Sequence, residues 1–291
     1  MCRVSPSVRL AAHAKINVSL RVVATRRDGY HDIETLVLPV DLHDDVEVSS
    51  ADAFEVSMEG PFAERVGAAN LAADAVLALA AREGRDPSVR LTIHKRIPVG
   101  AGMGGGSADA AAALRAAAAL WGLPDGPEAL APLAARLGSD VPALLWDEAT
   151  FVSGRGERIA RVQAAATAWA VRPFDLEIRA RDAYAWWDER GTSGADPGVA
   201  VAALEAGNVE VLGEAIANDL QAPVAAWHPE VLEVIEAFLT AGAVGAIMTG
   251  SGPTVVALGR HLGHAATLAG AVPGAFVATG PPRAGEGRPD G

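Results

Sequence analysis

Five glycines stand within seven residues, at positions 100, 102, 104, 105 and 106, and a serine follows at 107. The run Ala108-Asp-Ala-Ala-Ala-Ala-Leu114 behind them has the composition of a helix. Ahead of them, Val89-Arg-Leu-Thr-Ile-His-Lys95 alternates apolar and polar residues as a half-buried strand does. Strand, glycine loop and helix start in that order make an anion cradle. Glycine lets backbone amides turn inward, and the helix N-terminus adds unpaired N–H groups and the positive end of its dipole. The chemistry this predicts is polyphosphate binding, because a plain flexible link rarely runs straight into a strong helix former.

Two familiar phosphate loops do not fit. Gly100-Ala-Gly102-Met-Gly104-Gly105 matches G-x-G-x-x-G. The dinucleotide fold, however, needs a second strand after the helix, ending in an acid for the ribose. Here Trp121-Gly-Leu-Pro-Asp-Gly126 reads as a turn and Pro127-Glu-Ala-Leu-Ala-Pro-Leu-Ala-Ala-Arg136 as another helix. The P-loop places a lysine directly before its Ser/Thr, whereas Gly106 precedes Ser107. What remains is a phosphate loop of a third kind, without its own lysine.

A cation and a base must then come from elsewhere. Lys15 lies inside a long strand-like segment, Val8 to Val23, and on strict alternation shares a face with His13 and Asn17. Asp140 stands in Gly138-Ser-Asp-Val-Pro142, just after a helix, and Tyr30-His31 follow a turn at Asp28-Gly29. Each has an ordinary explanation: a solvated strand face, a turn cap, an exposed aromatic pair. Together they match the needs of phosphoryl transfer, which are a donor cradle, charge neutralisation, and a group to position or deprotonate the acceptor hydroxyl. Lys15 could supply the charge, Asp140 could take the proton, and Tyr30-His31 could hold a flat base.

These residues need elements to position them. Strand candidates are Val8–Val23, Leu36–Val40, Asp45–Ser49 and Val89–Lys95, with a helix opened by Asn70 and running to Arg82. A hairpin is expected around Gly154-Arg-Gly156, with Arg155 on the surface. Further on come a strand at 168–174, helical segments over 199–240, and a hairpin 244–258 around Thr249-Gly-Ser-Gly-Pro253. A short helix near 263–271 and a strand at 275–278 complete the pattern, and Trp186-Trp187 read as helix packing. Irregular alternation with two hairpins predicts an α+β fold in two domains, divided near residue 155, with a disordered tail from 281.

Composition narrows the partners. The chain has 291 residues, a net charge of −12 and half its residues apolar, which allows a sizeable core and makes nucleic acid an unexpected partner. Cys2 is the single cysteine, so no disulfide framework exists and a reducing, cytoplasmic location is expected. No apolar run is long enough to span a membrane, and no signal-peptide order is evident at the start. A monomer or homodimer is expected.

The motifs occur in a known order. Ala12-His-Ala-Lys-Ile-Asn17, Asp28-Gly-Tyr-His-Asp-Ile-Glu-Thr35, Pro98-Val-Gly-Ala-Gly-Met-Gly-Gly-Gly-Ser-Ala108, Gly138-Ser-Asp-Val-Pro142 and Thr249-Gly-Ser-Gly-Pro253 resemble the GHMP kinase superfamily over roughly residues 8 to 280. The Asp-Gly-Tyr-His segment resembles the branch that uses ATP to phosphorylate the 2-hydroxyl of a cytidine-diphosphate-linked methylerythritol, on the non-mevalonate route to isoprenoid precursors. The resemblance implies an N-terminal domain like ribosomal protein S5 domain 2 over residues 1–155. It implies a ferredoxin-like C-terminal domain over 156–280, with substrates in the cleft between them. It makes Asp140 the general base and Lys15 its charged partner. It gives the cytosine to Tyr30 and His31, with Asn17 and Thr35 nearby. Pro98, Val99, Gly100, Ala101, Gly102, Met103, Gly104, Gly105, Gly106, Ser107 and Ala108 would cradle the ATP phosphates, with Ser107 near Mg²⁺ and Asn70 near the adenine. Gly250, Ser251 and Gly252 would close the substrate side.

Departures are Met103 and Ala108 where the family usually shows Leu and Ser, Gln221 in place of Glu, and no Ser-Thr pair before Tyr184. A GHMP-type kinase with another small alcohol as acceptor, or a nucleotide-binding regulator without catalysis, shares most of this pattern.

Overall fold

A computed structural model describes residues 6–67 and 69–282. In chain order its first elements are β1 (Ser7–Thr25), β2 (His31–Ser50), β3 (Glu55–Glu59), α1 (Leu71–Arg82), β4 (Val89–His94), α2 (Gly105–Leu120), α3 (Pro127–Leu137), β5 (Ala149–Gly154), β6 (Arg158–Val162) and β7 (Thr167–Arg172). There follow α4 (Ala180–Arg190), α5 (Gly198–Ala206), α6 (Val209–Ala215), β8 (Ala217–Asn218), α7 (Gln221–Ala225), α8 (Glu230–Thr240), β9 (Gly245–Met248), β10 (Val255–Gly259), α9 (Leu262–Ala271) and β11 (Phe276–Gly280).

Seven strands form the first sheet, in the order β3-β4-β2-β1-β8, with the β5–β6 hairpin added to β2. The two strands expected at 36–40 and 45–49 are one strand, β2, whose first half pairs with β5 and second half with β4. The polar residues between them looked like a break because their partners lie in distant elements. Asp41 accepts from the amide and hydroxyl of Thr279, and Asp44 is fully buried against Lys95.

The second sheet is antiparallel in the order β11-β7-β10-β9. Numbered within this half the order is 4-1-3-2, with helices in the first and last connections, which is the ferredoxin-like arrangement. The β5–β6 hairpin carries the first sheet to Val162, past the expected division at 155, and β8 returns to pair with β1. Gly154 and Gly156, at φ +72° and +116°, form the Gly-Arg-Gly turn of the expected hairpin, within the first sheet. Cys2 and residues 283–291 of the expected tail lie outside the described residues.

Two cores bracket the central strands. Helices α1, α2 and α3 pack on Val46, Val48, Leu91 and Ile93. Ile16 and Leu38 of the first sheet meet Trp169, Val256 and Leu258 of the second. Residues 12–20 of β1 are therefore buried without interruption, polar ones included. Asn70 caps α1: its Oδ1 accepts from the amides of Ala72 and Ala73 at 3.0 and 3.2 Å. Asn70→Ala is expected to cost about 1 kcal/mol of folding stability, read as a lower denaturant midpoint at unchanged slope.

Candidate active site

Strand β1 sets the geometry. Its register against β2 shifts between His13 and Lys15 and again between Asn17 and Ser19. At the first irregularity the Lys15 amide donates to the carbonyl of Met103 at 2.9 Å. At the second the Asn17 amide donates to Thr249 Oγ1 at 2.6 Å. The glycine loop and the Thr249–Pro253 turn are thus fastened to one strand, two residues apart.

The irregularity also separates residues that strict alternation would group. His13 does not join Lys15. Its Nδ1 lies 3.0 Å from the Val40 carbonyl, its ring packs edge-on to His43, and burial lowers its affinity for a proton.

Lys15 is 5% exposed, so the solvated-strand explanation fails. Its Nζ donates to Asn17 Oδ1 at 2.7 Å and to the Gly102 carbonyl at 2.8 Å. The Asn17 amide is oriented by a relay. Thr35 Oγ1 donates to the Ser19 carbonyl at 2.6 Å and accepts from Asn17 Nδ2 at 2.8 Å, which turns Asn17 Oδ1 toward Lys15. Two of three ammonium hydrogens are committed. The third is left for Asp140, whose Oδ2 stands 4.0 Å away on a half-exposed side chain. Burial pulls the Lys15 pKa down, and the Asp140 charge pushes it back up.

Gly102, at φ +75°, shows how closely the two turns meet: a Cβ there would come 2.5 Å from the Gly252 carbonyl oxygen. Gly250, at φ +59°, faces Lys15, whose Nζ would be 2.9 Å from an added Cβ. Asn218 Nδ2 donates to the carbonyls of Met248 and Gly250 at 2.7 and 2.8 Å, and Gln221 Oε1 accepts from the Met248 amide at 2.9 Å. Gln221 therefore supplies an acceptor where the family usually has Glu. Sequence reasoning gave neither residue a role, since an amide bonding to backbone leaves no spacing signal.

Gly104 caps α2 without a side chain, leaving the first-turn amides of Gly105, Gly106 and Ser107 uncapped beside the loop. Beneath them Lys95, the residue after β4, bonds Asp109 Oδ2 through its Nζ at 2.6 Å and also Asp44, tying the end of β4 to β2 and α2. Burial pushes the Asp109 carboxyl up to about 7, against the pull of the Lys95 charge.

A cavity of about 830 Å³ is lined by Lys15, Asn17, Thr35, Asp140, Ser107 and the glycine loop at one end, and by Tyr30, His31, Arg155, Arg181, Tyr184 and Asp188 at the other. Gly250 and Ser251 also line it. A smaller cavity of about 250 Å³ shares the loop glycines and adds Asn70, Pro98, Val99, Ala101, Met103 and Asp109. Two expected contacts are displaced. Gly252 lies on neither wall because its carbonyl packs against Gly102, and Ala108 is buried in the packing of α2.

At the far end His31 stacks on Tyr184, centroids 4.7 Å apart, and meets the edge of Trp187 at 5.8 Å. Trp187 is thus part of the pocket's support as well as of helix packing. His31 Nε2 lies 2.9 Å from Asp188 Oδ1, which also accepts from Thr25 Oγ1 at 2.7 Å. Burial pulls the Asp188 carboxyl upward, but these hydrogen bonds hold it below the usual range. Asp188 escaped notice in the sequence, although Tyr184 and Asp188 are four apart and so share a helix face. Arg155, exposed on the surface as expected, also lines the cavity, with its guanidinium carbon 3.7 Å from the centroid of the Tyr30 ring.

Among the described residues no group of three or more His, Cys, Asp or Glu side chains could hold a metal ion, and no helix is long and apolar enough to cross a membrane. Ser107 nonetheless puts an oxygen donor on the cavity that holds the glycine loop, which suits an ion carried mainly by phosphates.

The GHMP kinases N terminal domain family matches residues 70–148, and the GHMP kinases C terminal family matches 200–278. The chain is 42% identical to the 4-diphosphocytidyl-2-C-methyl-D-erythritol kinase of Kineococcus radiotolerans, over 90% of this chain and 85% of that protein. It is 39% identical to that of Leifsonia xyli subsp. xyli, over 94% and 96%. A crystal structure of 4-(cytidine 5'-diphospho)-2C-methyl-D-erythritol kinase superposes with a TM-score of 0.80 at 31% identity, covering 94% of this chain and 99% of that one. Homoserine kinase from Cytophaga hutchinsonii, at 20% identity and a TM-score of 0.74, shares the fold. The chain belongs to the GHMP kinase family and, within it, to the 4-diphosphocytidyl-2-C-methyl-D-erythritol kinases.

Proposed function

We propose that this chain transfers the terminal phosphoryl group of ATP to the 2-hydroxyl of 4-(cytidine 5'-diphospho)-2-C-methyl-D-erythritol. The observation that carries this reading is the Lys15–Asp140 pair, 4.0 Å apart, set between the glycine cradle and the aromatic end of one cavity. The hydroxyl oxygen bonds to the terminal phosphorus as the bridging P–O bond breaks, ADP leaves, and Asp140 takes the hydroxyl proton. Lys15 faces the charge that develops on the transferring group, already fixed by Asn17 and Gly102 and so needing no rearrangement. Tyr30 and His31 hold the cytosine, with Tyr184 and Asp188 fixing His31. The smaller cavity takes the nucleoside half of ATP.

ATP is the donor throughout the family. Ser107 is the protein oxygen that would join the phosphates in holding Mg²⁺, and the ion, when bound, neutralises phosphate charge. Coupled detection of ADP release with the cytidine acceptor, homoserine and mevalonate tests the whole reading. Turnover with the cytidine acceptor at about 10³ times the rate with either alternative is expected. Equal turnover with another alcohol would reassign the acceptor. ATP binding without ADP release against any of them would make the chain a regulator rather than an enzyme.

A further inference from the structure

The cytidine acceptor carries a diphosphate between its base and its methylerythritol. If the base lies on Tyr30 and His31 and the hydroxyl at Asp140, the diphosphate lies between them. It enters a protein of net charge −12, beside a triphosphate and the carboxylates Asp140 and Asp188. Such a ligand needs local positive charge or inward-facing amides. Among the described residues the cations on the wall of the large cavity are Lys15, Arg155 and Arg181. Lys15 Nζ already donates to Asn17 and Gly102, and its remaining hydrogen faces Asp140, where the proposed transfer uses it. Arg181 is largely in solvent, with a side chain 71% exposed against 41% for Arg155.

Arg155 is placed differently. Its guanidinium carbon stands over the Tyr30 ring, 3.7 Å from the centroid, so part of its rotamer freedom is already given up. Its carboxylate neighbour, Asp28, stands at 3.8 Å, outside hydrogen-bond reach. The turn that carries it touches the catalytic segment: at Gly156 an added Cβ would come 2.5 Å from the carbonyl oxygen of Ser139, the residue before Asp140. One side of the turn thus reaches the base pocket and the other the Asp140 loop. A guanidinium offers a planar fork of donors suited to phosphate oxygens.

We propose that Arg155 binds the diphosphate of the acceptor substrate, held ready over Tyr30 for that purpose. This rests on the acceptor assigned above. It predicts that Arg155 recognises the phosphates and not the base, which separates it from a side chain that merely supports Tyr30.

The test is calorimetric titration of CDP and of cytidine into the protein saturated with ADP, which keeps CDP out of the donor site. In the unsubstituted protein CDP should bind about 10 to 100 times more tightly than cytidine. In Arg155→Ala the CDP affinity should fall toward that of cytidine, while the cytidine affinity stays within about twofold. Arg155→Lys should restore part of the difference as a point charge, and Arg155→Gln should not. In turnover, Arg155→Ala should raise the acceptor KM by about tenfold or more and leave the ATP KM unchanged. An unchanged CDP-to-cytidine ratio, or equal weakening of both, would overturn the role of Arg155 alone. Absence of CDP and cytidine binding by the unsubstituted protein would overturn the acceptor assignment, and this proposal with it.

Discussion

Asp140→Asn should lower kcat by about 10³-fold, within the range that a positioned general base contributes. The substitution keeps the shape of the side chain and removes its capacity to take a proton. Asp140 is half exposed, and its ion pair with Lys15 is long at 4.0 Å, so folding owes it little. The melting temperature should therefore hold and the KM for ATP should stay within about threefold. The loss belongs in kcat, because the proton is transferred only as the transition state forms. A second effect follows at Lys15. Burial works against its charge and Asp140 supports it, so the neutral amide leaves Lys15 less basic than before. A variant retaining a tenth or more of the original kcat would remove Asp140 from the mechanism.

Lys15→Met should lower kcat by about 10² to 10³-fold, the usual consequence of deleting one fixed electrostatic stabiliser. Methionine keeps the apolar stem, which packs against Gly104, and removes only the ammonium. Two opposing effects act on stability. The Gly102 carbonyl and Asn17 Oδ1 lose a donor, which costs. A buried cation also disappears, which helps. The sign of the second effect is checkable. The folded-state pKa of Lys15 lies below lysine's ordinary 10.5, so the charged form is disfavoured by folding. Its cost is fully present below the folded pKa and fades as pH rises toward 10.5. The unsubstituted protein should gain stability over that interval, and Lys15→Met should lack that slope. Calorimetry between pH 7 and 10.5 reads both, with the melting temperature at pH 7 expected to move by about 5 °C or less. Because Lys15 and Asp140 act on one reacting group, the double variant should be little slower than the slower single one. Full multiplication of the two losses would show that they act separately.

What was legible in the sequence follows from range. The glycine loop, its strand and its helix are local, and their residue types state their backbone needs directly. Helix α1 opens at its Asn70 cap, and α3 begins at Pro127 as composition predicts. Lys15, Asp140, Tyr30 and His31 stood out because polar residues occupied odd places in short motifs, and one cavity gathers all four. The long β2 strand was read as two because Asp41 and Asp44 find partners 238 and 51 residues away. Arg155, Asp188, Asn218 and Gln221 were missed for the same reason. Each owes its place to a residue on another element, and no local pattern marks such a meeting. His13 was misplaced by the reverse error, since alternation is a local rule and a bulge breaks it without a sequence signature.

The paired fastenings on β1 make that strand a common datum for both turns. The glycine loop hangs from the Lys15 amide and the Thr249–Pro253 turn from the Asn17 amide, on backbone that is buried from 12 to 20. Neither turn can swing away from the other without dislodging the middle of the molecule. The contacts at the aromatic end are looser by nature, running through half-exposed side chains of Tyr30, Arg155 and Asp188. On the proposed reading, exchange of the acceptor and its product runs through the nucleobase end, and the shared strand holds phosphorus and hydroxyl at one spacing from turnover to turnover.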